Sequence, residues 1–338
     1  MAKIAVNGVG TIGKRLAEAV IKQDDMELAG VADAASTPDL KVFMQKNPEV
    51  PLYACGEEAE EEIGREVFSP EGQVEELVEE ADLVFDATPS GIDKKNKEEL
   101  YRPMDTKAIF QGGADGDIAP VKFNASANFE EALGEDFVKV VSCNTTSLCR
   151  TLKVVDDELG IDSVTASLVR RGGDPKQDSR GPINSIIPVT EVPSHHGPDV
   201  QEVMPEIDVQ TLAVKAPTTL SHVHMVEARL DKGAEREEIR RLFKRAPRIR
   251  LEKAGHGFDS TAKVMEKMRD LNRPRSDMPE ATVWEETITA EGKKLYWIHM
   301  VHQESIVVPD NIDAVRSMLE MADKEESIRK TDRNLGLK

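Results

Sequence analysis

Three cysteines in 338 residues, Cys55, Cys143 and Cys149, are too few for a disulfide framework and lack a zinc-ligand spacing. Their scarcity argues against a stapled secreted scaffold and leaves thiols free for chemistry in a reducing compartment. Aromatic residues make up only 4% of the chain, which argues against a surface that stacks nucleobases. Basic residues are outnumbered, 44 Lys and Arg against 63 Asp and Glu, and the formal charge of −19 disfavours nucleic acid or an anionic membrane as the main partner. No apolar run reaches the length of a membrane-spanning helix. The stretch Ile4-Ala5-Val6 behind Met1-Ala2-Lys3 is too short for a signal-peptide core. The expectation is a cytoplasmic protein whose acid lies on exposed segments such as Glu57-Glu58-Ala59-Glu60-Glu61-Glu62.

What is present first is an alternation of short apolar runs with helical spacings. Ile4 to Val6, Leu28 to Ala32, Leu83 to Phe85, Ala108 to Phe110 and Val138 to Val141 read as buried strands. Ile12, Leu16, Ala19 and Val20 mark a helix between the first two. This predicts an α/β chain with an N-terminal Rossmann-like parallel sheet. A helix is expected from Thr145 to Leu159, with Gly160 as its C-terminal cap. Beyond it, Ser163 to Arg170, Ser221 to Leu230 and Tyr296 to Val301 alternate, which predicts a second, α+β domain on a mostly antiparallel sheet with one covered face. The segment from Gly172 to Gly197 reads as a long ordered loop beside the site. Ile312 to Ala322 reads as an amphipathic helix capped by Asp310 or Asn311. The expected division is 1–140, completed by a C-terminal helix in 303–338, against 141–302.

Gly8-Val9-Gly10-Thr11-Ile12-Gly13 follows the first strand and opens the first helix. Glycines there permit a tight turn and close approach of backbone to a pyrophosphate, which the helix N-terminus stabilises. Asp33 ends the second strand, where an acid accepts hydrogen bonds from ribose hydroxyls and repels a 2′-phosphate. That leans toward NAD, while Ser36 and Thr37 keep NADP open.

Ser142-Cys143-Asn144-Thr145-Thr146 sits where the fifth strand meets a helix. A helix N-terminus stabilises a thiolate, lowering its pKa, and its N–H groups with Asn144 suit a developing oxyanion. Cys149 reads as packing and Cys55 as incidental to a surface segment. His222 and His224 share one face of a strand, so either suits the base a cysteine nucleophile needs. His195-His196 form a second pair. A metal site is disfavoured, because no carboxylate or second thiol accompanies the histidines at ligand spacing. Arg170-Arg171 reads as an anion fork in an acidic chain.

Taken together, Ser142 to Thr146 with Leu148-Cys149-Arg150 resembles the nucleophile segment of the archaeal-type (type II) phosphorylating glyceraldehyde-3-phosphate dehydrogenases. So do Phe110-Gln111-Gly112-Gly113, Arg170-Arg171 with Asp174-Pro175, Gly181-Pro182-Ile183-Asn184, and Ser194-His195-His196-Gly197-Pro198-Asp199-Val200. Val283-Trp284-Glu285-Glu286 and His302-Gln303-Glu304-Ser305 extend the likeness nearly end to end. The resemblance implies Cys143 as nucleophile and His222 as base, with His224 in support. It implies cofactor contacts from Thr11, Ile12, Gly112, Arg171 and Gln303, beside Gly8, Gly10, Gly13 and Asp33. Ser142, Asn144, Arg170, His195 and His196 would meet the substrate or its phosphate. A homotetramer is also implied, with a last helix that packs on the nucleotide domain. Two departures are Asp33, where many relatives carry a basic residue, and Ser147, in place of a usual glycine.

The implied chemistry is a thiohemiacetal on Cys143, loss of its hydroxyl proton to His222 as hydride leaves, and attack of inorganic phosphate on the resulting thioester. The alternatives are a semialdehyde dehydrogenase of the same domain plan and a non-catalytic nicotinamide-binding or RNA-binding regulator. The paired Cys143 and His222 weigh against lost catalysis, and the acidic charge weighs against RNA.

Overall fold

A computed structural model describes residues 1–174, 176 and 181–337. Pro175, part of the loop expected over 172–197, and residue 338 of the expected C-terminal helix lie outside the described residues. The chain forms two compact units, Met1–Ser142 with Val308–Gly336, and Cys143–Val307.

The first unit carries eight strands: β1 (Ala2–Asn7), β2 (Met26–Asp33), β3 (Leu52–Ala54), β4 (Gly72–Gln73), β5 (Leu83–Asp86), β6 (Lys107–Phe110), β7 (Val121–Phe123) and β8 (Phe137–Val140). They lie in the order β4-β3-β2-β1-β5-β6-β8-β7, and every pairing is parallel. Sheets covered on both faces need near-continuous apolar strands. Ile4, Ala5 and Val6 on β1 and Leu83, Val84 and Phe85 on β5 are fully buried accordingly. Sequence order reverses between β1 and β5, and the Gly8 turn leaves the sheet at this switch point, where such folds place ligands. The strands β3, β4 and β7 lacked a sequence pattern because they are two or three residues long. The acidic run lies on an exposed helix: Glu57–Glu66 buries Ala59 and Ile63, while Glu57, Glu58, Glu60 and Glu61 are exposed as expected.

The C-terminal helix differs from expectation. It spans Val308–Met318, and all 11 of its residues are buried. Asp310 and Asn311 are therefore not caps but helical residues with inward partners. Asp310 Oδ1 accepts from the Asn124 side chain and the Ala125 N–H, both at 3.0 Å. Asn311 Oδ1 accepts from Gln111 Nε2 at 2.9 Å. Asp313 Oδ1 accepts from Ser327 and Thr331 hydroxyls, and Arg316 reaches Asp25 and Gln23. Polar side chains that suggested a wet face are instead satisfied inside the unit, the condition on which buried polar groups are tolerated. A further helix, Lys324–Leu335, caps itself through Asp323 and ends on Gly336.

The second unit carries β9 (Ile161–Arg171), β10 (Ile187–Pro188), β11 (Asp208–Ala216), β12 (His222–Leu230), β13 (Ile249–Glu252), β14 (Ala281–Trp284), β15 (Thr289–Glu291) and β16 (Lys294–Val301). Their order is β10-β11-β9-β12-β16-β14-β13, with β15 on β16. The β9–β11 and β13–β14 pairs are parallel and the rest antiparallel. One face is covered: on β12, His222, His224, Val226, Ala228 and Leu230 are buried, while Met225, Glu227 and Arg229 are exposed. The helix Cys143–Leu159 packs on that covered face, against β9, β12, β14 and β16. Gly160 follows it with φ +69°.

Candidate active site

The three glycines of the N-terminal turn have three different surroundings. Gly8 has φ +94°, and a Cβ there would lie 2.9 Å from the Ala87 carbonyl oxygen. A Cβ on Gly13 would lie 1.8 Å from the Gly8 carbonyl oxygen, so the helix can approach the turn only without a side chain. A Cβ on Gly10 would meet nothing within 4 Å. The first makes the turn, the third packs it, and the second leaves an open backbone face. Among the described residues, the N–H groups of Gly10, Thr11, Ile12 and Gly13 have no hydrogen-bond partner. Four free donors at a helix start fit the phosphates of a dinucleotide.

Asp33 closes the same site. Its Oδ2 accepts from the Val9 N–H at 2.9 Å, and Oδ1 accepts from the N–H groups of Ala34 at 2.7 Å and Ala35 at 3.3 Å. Burial raises its pKa against those three donors. Ser36 is committed to acids: its N–H donates to Glu62 at 3.1 Å and its hydroxyl to Glu66 at 3.0 Å. Thr37 caps the following helix through Leu40 N–H. Gly112 has a separate reason to be glycine, since a Cβ would lie 2.5 Å from Ser142 Cα.

In the second unit, Cys143 is the first residue of its 17-residue helix. Its Sγ lies 3.6 Å from His222 Nε2. The Arg171 backbone N–H donates to His222 Nδ1 at 2.9 Å. A neutral imidazole that accepts at Nδ1 carries its hydrogen on Nε2. The ring therefore presents a donor to the sulfur. Burial lowers the His222 pKa to about 3, helped by Arg171, Arg170 and His196; Gln303 pulls the other way.

The thiol itself corrects the expectation of a lowered pKa. Cys143 is 9% exposed, and burial pushes it up to about 12, outweighing Arg170, Arg171 and the Asn144 N–H, which pull it down. Its surroundings are cationic and hydrogen-bonding rather than hydrocarbon, so the cost is desolvation. Cys149 is fully buried, as packing requires. Cys55 is not on a surface segment: it follows β3, half-buried, with Sγ 3.6 Å from Asn7 Oδ1, and burial pushes it to about 12.

Arg170 and Arg171 do not form a fork. Neighbours on a strand face opposite ways. Arg171 is committed, with Nε donating to Gln303 at 2.5 Å, and Nη2 2.5 Å from Asp174 and 3.2 Å from Glu304. Arg170 has no hydrogen-bond or ion-pair partner among the described residues, and its Nε is buried without one. Burial lowers its pKa, and the Cys143 sulfur offsets this. His196 is buried; Asn144 Nδ2 lies 3.2 Å from its Nε2, and its pKa is lowered to about 3 by burial, His195 and Arg170. His195 is exposed, with its ring centroid 3.9 Å from that of His196.

Residues 142–287 match the family model described as glyceraldehyde 3-phosphate dehydrogenase, C-terminal domain. A glyceraldehyde-3-phosphate dehydrogenase of Pyrococcus abyssi is 48% identical over 99% of this chain and 98% of its own. The chain belongs to the glyceraldehyde-3-phosphate dehydrogenase family. Similar proteins of that name in Thermococcus kodakarensis and Methanosarcina barkeri, each 48% identical over 99% of this chain and 98% of their own, agree with the archaeal type. Membership accounts for the thiol and histidine on one covered face. Trp297 and His299 are also buried on that face, and sequence reasoning passed over both. The signal for His299 was available: it alternates with Trp297 on β16 and pairs in register with His224.

Proposed function

We propose that the chain oxidises D-glyceraldehyde 3-phosphate to 1,3-bisphosphoglycerate with inorganic phosphate and a nicotinamide dinucleotide. The observation that carries this reading is the 3.6 Å approach of Cys143 Sγ to a donor-bearing His222, with the unpartnered Arg170 as neighbour. The free N–H groups of Gly10 to Gly13 would hold the cofactor, which, when bound, accepts the hydride. Asp33, Glu62 and Glu66 make its ribose end acidic, which favours NAD over NADP.

The thiol gives its proton to solvent, a step that Arg170, Arg171 and the His222 Nε2–H favour against burial. Sulfur then adds to the aldehyde carbon, and the new alkoxide accepts from His222 Nε2–H and from donors at the helix start. In this placement His222 acts by donation, and an alkoxide formed from a thiolate leaves no hydroxyl proton for it to remove. Once the hydride has gone, Cys143 carries a thioester. Phosphate oxygen attacks that carbonyl, the C–S bond breaks, and the thiolate returns. Arg170 and His195 would hold the substrate phosphate, with Ser142 and Asn144 nearer the sulfur. Arg171 and Gln303, implied as cofactor contacts, first serve to set the His222 ring.

Reduction of dinucleotide by triose phosphate, followed at 340 nm as phosphate is varied, tests the reading. The rate should depend on phosphate, favour NAD and vanish in Cys143→Ser, while that variant binds dinucleotide normally. Turnover without phosphate, or full activity without the thiol, would overturn it.

A further inference from the structure

The turn that follows β2 carries three donors that face acids of a neighbouring helix. Asp33 ends β2, and its carboxylate takes the N–H groups of Ala34 and Ala35. Ser36 comes next. Its N–H donates to Glu62 Oε1 at 3.1 Å, and its hydroxyl donates to Glu66 Oε2 at 3.0 Å. Lys41, on the helix Pro38–Lys46, donates to the same Glu66 Oε2 at 3.0 Å. A backbone N–H, a hydroxyl and an ammonium group thus meet two carboxylates of the helix Glu57–Glu66. Donors of these three kinds, one of them charged, are a set that suits a phosphomonoester.

Their place in the fold gives the set its meaning. In a doubly wound nucleotide fold the acid at the end of the second strand meets a ribose, and residues near it meet whatever the ribose 2′-oxygen carries. The helix Pro38–Lys46 begins beside that acid: burial raises the Asp33 pKa, and the charge of Asp39 adds to the rise. A second cation, Lys14 of the helix Gly13–Ile21, is taken by Asp39 at 2.7 Å. Hydrogen bonds from Lys41 and Ser36 hold the Glu66 carboxyl below the usual range, so it is charged at neutral pH. Arg65 adds a longer contact to it at 3.8 Å. The Lys41 and Glu66 side chains are 38% and 42% exposed, so solvent screens the pair and little free energy is needed to part it.

We propose that Ser36 and Lys41 form a masked site for the 2′-phosphate of a nucleotide, which Glu66, with Glu62, fills from within. An internal carboxylate stands where the phosphate would sit. A 2′-phosphate that arrives must displace Glu66 from Lys41 or lie against it, like charge on like. Cofactor preference then resides in the helix Glu57–Glu66 as well as in Asp33, and the cation needed for the phosphorylated cofactor is already in place. The site serves a nucleotide only if the Gly8–Gly13 turn holds one, the reading on which it rests, and it is independent of the chemistry at Cys143.

Calorimetric binding of adenosine 2′,5′-bisphosphate and of 5′-AMP, without aldehyde, tests the mask. Glu66→Gln keeps the size of the side chain and removes its charge. The preference for the bisphosphate over the monophosphate should rise about tenfold in that variant. Adding Lys41→Gln to it should cancel the rise, because the released ammonium group supplies it. Glu61→Gln, at an exposed position of the same helix that does not touch the turn, should leave the preference as it is. No rise in Glu66→Gln, a rise that survives the loss of Lys41, or an equal rise in Glu61→Gln would overturn the proposal. A native protein that binds neither nucleotide overturns it together with the cofactor reading. A Lys41-dependent rise in a protein that turns over no triose phosphate would sink the proposed reaction and leave the masked site standing.

Discussion

Burial raises the Cys143 thiol to about 12, and the direction of its titration follows. A thiol raised in the fold stays protonated through neutral pH and ionises only as pH climbs. Alkylation of ligand-free protein by iodoacetamide should therefore be slow at pH 7 and rise about tenfold per pH unit to beyond pH 10. A plateau near pH 8 would show that the cationic neighbours prevail over desolvation. Arg170 offers a second test. Replacing it with glutamine removes a charged hydrogen-bond donor worth about 1.5–3 kcal/mol, so kcat/KM for triose phosphate should fall by about 10- to 150-fold. Unphosphorylated glyceraldehyde should react as before; equal losses for both aldehydes would detach Arg170 from the phosphate. Both residues were visible in the sequence, but their states were not. Adjacent arginines read as a fork until β9 turned them to opposite faces, and the helix start suggested a low thiol pKa because burial has no local signature.

Among elements, legibility followed length. The strands β1 and β5 announced themselves as apolar runs, and β9, β12 and β16 by alternation. The short β3, β4 and β7 had too few residues for any period. The helix Val308–Met318 misled for a different reason: its Asp310, Asn311, Asp313 and Arg316 are polar but find partners within the unit. Its attachment should be acid-sensitive. Burial pushes the Asp25 carboxyl up, yet the hydrogen bonds from Arg316 and Lys330 prevail and hold it at about 2. A depressed carboxyl contributes stability above its unfolded pKa near 4 and loses it as pH falls toward 2. Discounted for solvent screening, Asp25→Asn should cost about 1–2 kcal/mol at pH 7 and only a few tenths of that near pH 2. Denaturant unfolding at the two pH values measures this, and an equal difference at both would remove the ion pair from the account.

At the scale of the molecule, the outer edge of the second sheet is conspicuously apolar. Ile183 is 90% exposed and Ile186 66%, beside Ile187 on the edge strand β10 and Val192. Such exposed apolar residues on an acidic chain are expected to be covered by another copy. Ile183→Glu with Ile187→Glu should convert the tetramer implied by the family resemblance to smaller species in sedimentation velocity, and an unchanged sedimentation coefficient would place the subunit contact elsewhere. The buried Val308–Met318 helix carries a last consequence, in the order of synthesis. Residues 1–142 leave the ribosome long before the segment that fills their interior exists. The first unit must wait, unfinished, for the whole second unit to be made. A stop codon near position 307 thus spares every residue of the thiol site and still leaves the first lobe with an open seam.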